Sequence, residues 1–413
     1  MNGVLAGERT RSIVRPNGAV LATAAAVVLL AVAVPLAVHE GRAHRGPDAT
    51  VAPSSAATVP GPKARLFIED LAGTGATFYL TRVRIEAADG TPLGGYPLPT
   101  HPPAGAFSVS ADGTRIAYLA ADGLHVANAI DGTQDHVVHA LPLDPSRPNP
   151  ATEAAQLPFA NWARGSTINW SANGNSFAVA WQGCLWTLAS DGSALPELAR
   201  NATSTPVEGA GGVVGATWAP SSNQLLVSVY GSATLLNDAT QQPFASDAST
   251  GSGIATAIVA ANGTSYLPLA GQVCAWYWSA GGRVVGWNPA GTALVTIAAA
   301  GGNSHTVAAF PADGTVSVAP DGMHVAGIGP DGIVNVWPID GGPGTTVRTA
   351  VVQDSVQQQL EWLDTQQLIL STTGPDGTTH LTIIDGTGDT HVLPDLHPSA
   401  AGGYLVIDAR PVG

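Results

Sequence analysis

Lysine is nearly missing from this chain: of sixteen basic residues only Lys63 is a lysine, the others being arginines. Charged residues of both signs make up 11% of the 413 residues, against an ordinary share of about 25%. The 16 basic and 30 acidic residues leave a net charge of −14. A surface that follows phosphates needs clustered Lys and Arg, so no footprint for a nucleic acid is present. Cysteine is scarce too, with 2 residues, the first at Cys184, so there is no lipoprotein cysteine and no C-x-x-C pair. A Cys184–Cys274 bridge stays open as a question, because Cα atoms beyond ~7 Å cannot be joined. The poverty in Glu and Lys argues against a helical bundle. What is abundant is Gly (49), Pro (31) and an apolar share of 45%, too greasy for a disordered tail. The balance is that of a turn-rich, all-β protein.

The N-terminus sets the expected compartment. Gly18 to Val38 carries no charge and is long enough to cross a hydrocarbon core of ~30 Å at about 1.5 Å per residue. Arg9, Arg11 and Arg15 precede it, which by the positive-inside bias keeps 1–17 in the cytoplasm. The expectation is a signal-anchor helix over 18–38, a Pro/Ala/Ser-rich linker over 39–62, and an extracytoplasmic domain over 63–413. A cleaved signal peptide, which would make the domain secreted, is the rival; the small-residue candidate Ala31-Val-Ala33 falls inside the run.

Periodicity then organises the rest. Six segments align without gaps around a turn: Val109-Ser-Ala-Asp-Gly-Thr-Arg-Ile116, Trp170-Ser-Ala-Asn-Gly-Asn-Ser-Phe177, Trp218-Ala-Pro-Ser-Ser-Asn-Gln-Leu225, Trp278-Ser-Ala-Gly-Gly-Arg-Val-Val285, Val318-Ala-Pro-Asp-Gly-Met-His-Val325 and Trp362-Leu-Asp-Thr-Gln-Gln-Leu-Ile369. Each reads as strand, tight turn, strand, with Asp, Asn and Gly supplying the turn conformations. Asp-Gly pairs nine residues apart (Asp122 and Asp131, Asp331 and Asp340, Asp376 and Asp385) mark single strands with their turns. Eleven Asp-Gly dipeptides assign much of the acidity to hairpin ends. Units of about 50 residues with four strands are the mark of a β-propeller, whose radial sheets bury one another's apolar faces. Leu66–Asp70, Phe78–Ile85 and Thr91–Leu93, completed by Tyr404–Arg410 from the C-terminus, make a seventh blade that ties the ring shut. Seven blades are expected, with six or eight as alternatives.

At Phe107-Ser-Val-Ser-Ala-Asp-Gly-Thr-Arg-Ile-Ala-Tyr118 and Val316-Ser-Val-Ala-Pro-Asp-Gly-Met-His-Val-Ala-Gly327 the chain resembles the TolB-type, WD-repeat-like bacterial propellers. The resemblance covers about residues 100–394 and implies a fold rather than an activity. It departs from eukaryotic WD repeats in lacking their Trp-Asp and Gly-His dipeptides. It departs from TolB in leaving no space for that protein's N-terminal α/β domain.

In a propeller, loops joining strands a to b and c to d leave from one face, and those joining b to c and d to a leave from the other. The a–b and c–d turns here are short, while 140–167, 230–252, 269–275 and 394–403 are long and share the second face. Long insertions on one face of a repeat scaffold mark a binding face. Its expected contact residues are Arg147, Glu153, Phe159, Trp162 and Arg164, with Asn237, Asp238 and Phe244 in the second long segment. A plug over the channel mouth explains Phe159 and Trp162 equally well.

Inner-strand positions Ser108, Asn169, Thr217, Tyr277, Ser317 and Glu361 are equivalent, and of these Asn169, Tyr277 and Glu361 are candidate axial residues. A buried Glu361 needs a partner or a raised pKa. No G-x-S-x-G elbow, HExxH or G-x-x-x-x-G-K-[ST] occurs, and His136-x-x-His139 lies on an outer strand, so no catalytic residue, metal or cofactor is assigned. The expected function is a non-catalytic binding or scaffolding module for a protein, peptide or cell-wall glycan. The alternatives are a propeller-type enzyme working at the axis (lactonase, lyase or glycosidase) and a transmembrane sensor.

Overall fold

The computed structural model describes residues 64–411 apart from 141–166, 202–211, 246–253, 349–356 and a number of shorter stretches. Residues 1–63, with the expected anchor and linker, lie outside the described residues. Among those described, no helix is long and apolar enough to cross a membrane.

Seven antiparallel sheets form the domain. Blades 2 to 7 each begin with an innermost strand a: Phe107–Val109, Thr167–Trp170, Gly212–Trp218, Cys274–Trp278, Thr315–Val318 and Gln357–Trp362. The first blade takes its strand a from the end of the chain: Tyr404–Pro411 pairs with strand b, Ala64–Thr74, and strands c (Thr77–Ala87) and d (Pro92–Pro97) follow outward. Ala64 lies opposite Pro411 and Leu71 opposite Tyr404, so the two ends of the described chain meet side by side on the face of the short turns. The expected seven-bladed, C-terminally closed ring is the fold.

Seven apolar clusters fill the seven seams, one between each pair of neighbouring blades. Leu66, Ile68, Leu405 and Ile407 of blade 1 meet Ile369, Leu381 and Ile383 of blade 7 in the closing seam. Phe67 and Ile85 face Ile116 and Tyr118 of blade 2 on the other side. Each sheet therefore buries both faces, which is why strands such as Phe177–Ala180 are apolar at every position.

The turns use their acids as expected. Asp112 Oδ1 accepts from Thr114 N (3.1 Å), Thr114 Oγ1 (2.8 Å) and Ser110 Oγ (2.6 Å), and Gly113 takes the positive φ of 65° that follows. Asp131 with Thr133, Asp191 with Ser193, Asn262 with Thr264 and Asp385 with Thr387 repeat the arrangement. These hydrogen bonds to the charged form hold the carboxyls of Asp131, Asp191 and Asp385 below the usual range.

The tryptophan of the repeat has a job that its bulk alone did not announce. Trp170, Trp218 and Trp362 each donate the indole N–H to a backbone carbonyl of the preceding blade, at Ser108 (3.2 Å), Asn169 (3.0 Å) and Ser317 (3.1 Å). The acceptors are equivalent inner-strand positions, so the same bolt is used at three seams of the ring. Trp218→Phe keeps most of the packing and removes the donor. A loss of about 1–2 kcal/mol is expected in urea titration; an unchanged midpoint would show that the bolt contributes nothing.

Two features depart from the regular pattern. The third sheet has six strands, not four: Ser232–Leu236 and Gln241–Ala245 form a hairpin that pairs with Ala194–Asn201 on its outer edge. The 230–252 segment, expected as a long b–c loop of the fourth unit, is thus in part a structured extension of the blade before it. The physical reason is the open edge of the third blade's outer strand, which the hairpin covers. Pro243, without an N–H, sits in the new outermost strand, a residue suited to edges.

The second feature lies under the last d–a connection. Asp70 is fully buried at a register shift in strand b of blade 1. Its carboxylate accepts from Arg84 Nη2 (2.9 Å) and from Ser399 N (3.0 Å to Oδ1), and also from Ser399 Oγ. Arg84 further donates to the His397 carbonyl. The described part of 394–403 is therefore pinned to blade 1, not a free-standing loop.

Candidate functional site

Along the inner strands, fully buried residues alternate with residues that are mostly half-buried, several of which reach the next blade. Strand pairing puts Ser108, Asn169, Thr217, Tyr277, Ser317 and Glu361 opposite Ala117, Ala178, Leu226, Val285, Ala326 and Ile369. The same register in blade 1 pairs Asp408 with Phe67, making Asp408 the seventh member of the ring. The six positions aligned in sequence include one acid, Glu361; the closing strand adds a second, Asp408, its neighbour in the ring. No turn follows Asp408 in sequence, so the motif that aligned the other six could not align it.

The acids gather on one arc. Ser317 Oγ of blade 6 donates to Glu361 Oε2 of blade 7 (3.2 Å). Arg410 Nη2 donates to Asp408 Oδ2 (2.8 Å), while its Nε is enclosed by protein and meets no acceptor. Glu69, paired with Val406 on the closing strand, completes the group. These residues keep part of their surface accessible, yet protein surrounds them. Burial first, then the Asp408 charge, pushes Glu69 up to about 8 and Glu361 up to about 7, with Arg410 pulling both the other way. Burial also raises Asp408 against the pull of Arg410. Tyr277, two blades from Glu361, is raised by burial and by the Glu361 charge. Gln359 accepts the backbone N–H of Ile407 (3.0 Å), fixing the last blade to the closing strand beside the arc.

Of the expected axial residues, Tyr277 and Glu361 hold equivalent ring positions two blades apart, with the Glu361 charge acting on Tyr277. Asn169 holds the same position in blade 3, and its amide donates to the Ala216 carbonyl of the next blade (2.7 Å), a tie between sheets. Of the expected loop-face residues, Arg147, Glu153, Phe159, Trp162, Arg164, Asn237 and Asp238 lie outside the described residues. The backbone of Phe244 lies in the outermost strand of the six-stranded sheet, opposite Ala233. His136 and His139 occupy an outer strand, with Nδ1 of each near a backbone carbonyl, Gln134 (2.7 Å) and Ala140 (2.8 Å). Among the described residues no three His, Cys, Asp or Glu side chains are placed to hold a metal ion.

A second polar cluster, not foreseen, sits in blade 2. Tyr118 donates to Asp135 Oδ2 (2.7 Å), and the His125 ring, stacked on Tyr118, spans Asp135 (2.9 Å) and Asp122 (2.8 Å). Its hydrogen bonds close on one another, and it ties strands b and c to the turns at both ends of the blade.

Comparison with known proteins adds similarity of fold. No family model and no curated protein matches the chain. A solved structure assigned as TolB from Agrobacterium tumefaciens is similar at 12% identity, over 60% of this chain and 90% of that one, with a TM-score of 0.36. The Cps50 (Swd1) β-propeller domain from Myceliophteria thermophila is similar at 12% identity, over 72% of this chain and 86% of that one, with a TM-score of 0.41.

Proposed function

We propose that the protein is a non-catalytic binding module, held at the outer side of the cytoplasmic membrane by residues 18–38, that engages a protein, peptide or wall glycan through the face of its long connections. One observation carries the reading. Ala64 and Pro411 leave together from the short-turn face, so a tether attached before residue 64 leaves the opposite face clear. Concentration of long connections on that opposite face supports the same choice. The contact residues remain Arg147, Glu153, Phe159, Trp162 and Arg164, with Asn237, Asp238 and Phe244 beside them.

Crosslinking on intact cells tests the proposal, using the full chain and a variant in which 141–166 is replaced by a short Gly-Ser linker. The variant is expected to lose the principal crosslinked partner while keeping its melting temperature; retention of every partner would move the binding surface elsewhere. A second reading, an enzyme working at the axis through carboxylates, gains from one finding: Asp408 and Glu69 supply acids beside Glu361. Paired carboxylates with separated proton affinities suit general acid–base work.

A further inference from the structure

We propose that His125 works as a proton-operated clasp in blade 2: its charged ring ties the Asp122 turn to Asp135, and its neutral ring lets the Asp122 turn go. The clasp stands apart from the loop-face reading; its effect on the long connections rests on that reading.

The ring lies between two carboxylates. His125 is 7% exposed, on strand c (Gly123–Asn128), and stacks on Tyr118 of strand b (Arg115–Ala120) with centroids 4.9 Å apart. Nδ1 meets Asp135 Oδ1 at 2.9 Å, and Nε2 meets Asp122 Oδ1 at 2.8 Å. A neutral imidazole has one N–H and one lone pair, whereas the charged ring donates from both nitrogens. Both carboxylates are therefore served together by the charged ring alone; the neutral one turns a lone pair on an anion. A second observation shows that Asp135 is held under load. Gln134, just before it, has a φ of 59°, the one non-glycine residue with a positive φ among those described. Such a conformation persists where neighbouring contacts impose it, and it concentrates in switch regions. Here those contacts are the bonds of Asp135 to Tyr118 and His125, and the approach of His136 Nδ1 to the Gln134 carbonyl (2.7 Å).

The surrounding groups leave the ring as the moving part. Burial first, then the hydrogen bond to Asp135 and the charges of Asp135 and Asp122, raises Tyr118, which stays a donor. Tyr96 of blade 1 is raised by burial and by the charges of Asp131 and Asp135. His136 and His139 on strand d (His136–Ala140) turn Nδ1 to backbone carbonyls, and Asp131 accepts from Thr133. Among the described residues, the ion pairs of Asp122 and Asp135 are those with His125. Once the ring is neutral, Tyr118 keeps Asp135 at 2.7 Å, and Asp122, with 63% of its side chain exposed, turns to water. Gly123 beside it pairs with Ala140 at the end of strand d, so release loosens the point from which 141–166 departs. Rising pH thereby weakens capture on that face.

Residue-resolved hydrogen exchange on the full-length protein from pH 5 to 9, corrected for intrinsic rates, tests it, with the charge of the His125 ring followed by nitrogen NMR. Protection of the amides of 123–125 is expected to fall by about fivefold or more along the same titration that neutralises the ring. The Thr133 amide, held by Asp131, is expected to stay constant. Asp122→Asn, at an exposed position, offers either ring form an oxygen or an N–H. Its protection is expected to be independent of pH at an unchanged melting temperature, and His125→Gln is expected to show the released turn throughout. A ring whose charge is the same at pH 5 and pH 9, protection that ignores the ring, or an equal fall in Asp122→Asn would overturn the inference. Photo-crosslinking at pH 6 and 8.5 reads the effect on the face: about fivefold less partner is expected at the higher pH, and equal yield would overturn that effect. The variant with 141–166 replaced keeps Tyr118, Asp122, His125 and Asp135, so the exchange step is expected in it even where the loop-face proposal fails.

Discussion

Asp70→Ala is expected to destabilise the domain by about 3–5 kcal/mol, the range found when one partner of a buried ion pair is removed. The effect is large because three groups lose their acceptor together. Arg84, itself one-fifth exposed at 21%, keeps its charge beside an empty site. Ser399 loses the acceptor for both its N–H and its hydroxyl. The connection that delivers the closing strand is then tied by the His397 carbonyl and the Thr379–Leu396 bridge. Equilibrium unfolding in urea measures the loss. Double replacement of Asp70 and Arg84 by apolar residues is expected to recover part of it, since no unpaired charge remains. A loss below ~1 kcal/mol in Asp70→Ala would show that the last connection is not held by this carboxylate.

Stability is expected to fall as pH rises from about 5.5 to 9, the reverse of the pattern set by salt-bridged surface acids. Glu69 at about 8 and Glu361 at about 7 both stand above their ordinary 4.5. The folded state therefore keeps protons that the unfolded chain has released. Their contribution is complete below about pH 4.5 and is lost as pH passes through 7 and 8. Turn acids such as Asp131 and Asp385 act oppositely, adding stability above their unfolded value and losing it only in acid. Their accessible surface lets solvent screen the pair, so the loss to pH 9 is set at roughly 2 kcal/mol, below the full conversion of the shifts. Thermal melts from pH 5 to 9 measure it, and Glu69→Gln is expected to flatten the curve. A flat or rising curve in the parent protein would mean that these acids ionise as freely as in water.

The parts of this fold that were readable in sequence are those carried by local chemistry. An apolar residue, a turn and a β-branched, Leu or Phe residue at fixed spacing located six inner strands, because a hairpin needs its Asp, Asn and Gly within a few residues. Closure by Tyr404–Pro411 was readable from arithmetic: three strands lacked a fourth. Asp408 was not, because a strand with no following hairpin has no local marker of register. The hairpin at 232–245 did carry a signal, Asn237-Asp238 between two strand-forming runs, but its partner belongs to the preceding unit. Asp70 and Ser399 stand 329 residues apart, and nothing short of ring closure relates them. Asn169 keeps the ring position that the repeat gave it, but its carbonyl and amide both serve the adjoining blade, a long-range tie that no local pattern announces.

Synthesis gives the closing strand one more consequence. The first of the seven sheets to be made lacks its innermost member until residues 404–411 are translated, so blade 1 waits through the making of six others with an unsatisfied edge. Chains that stop early carry that edge permanently, together with the uncovered side of blade 7. Aborted products of this protein should consequently be sticky and short-lived, while a completed chain hides the seam within one cooperative, late step.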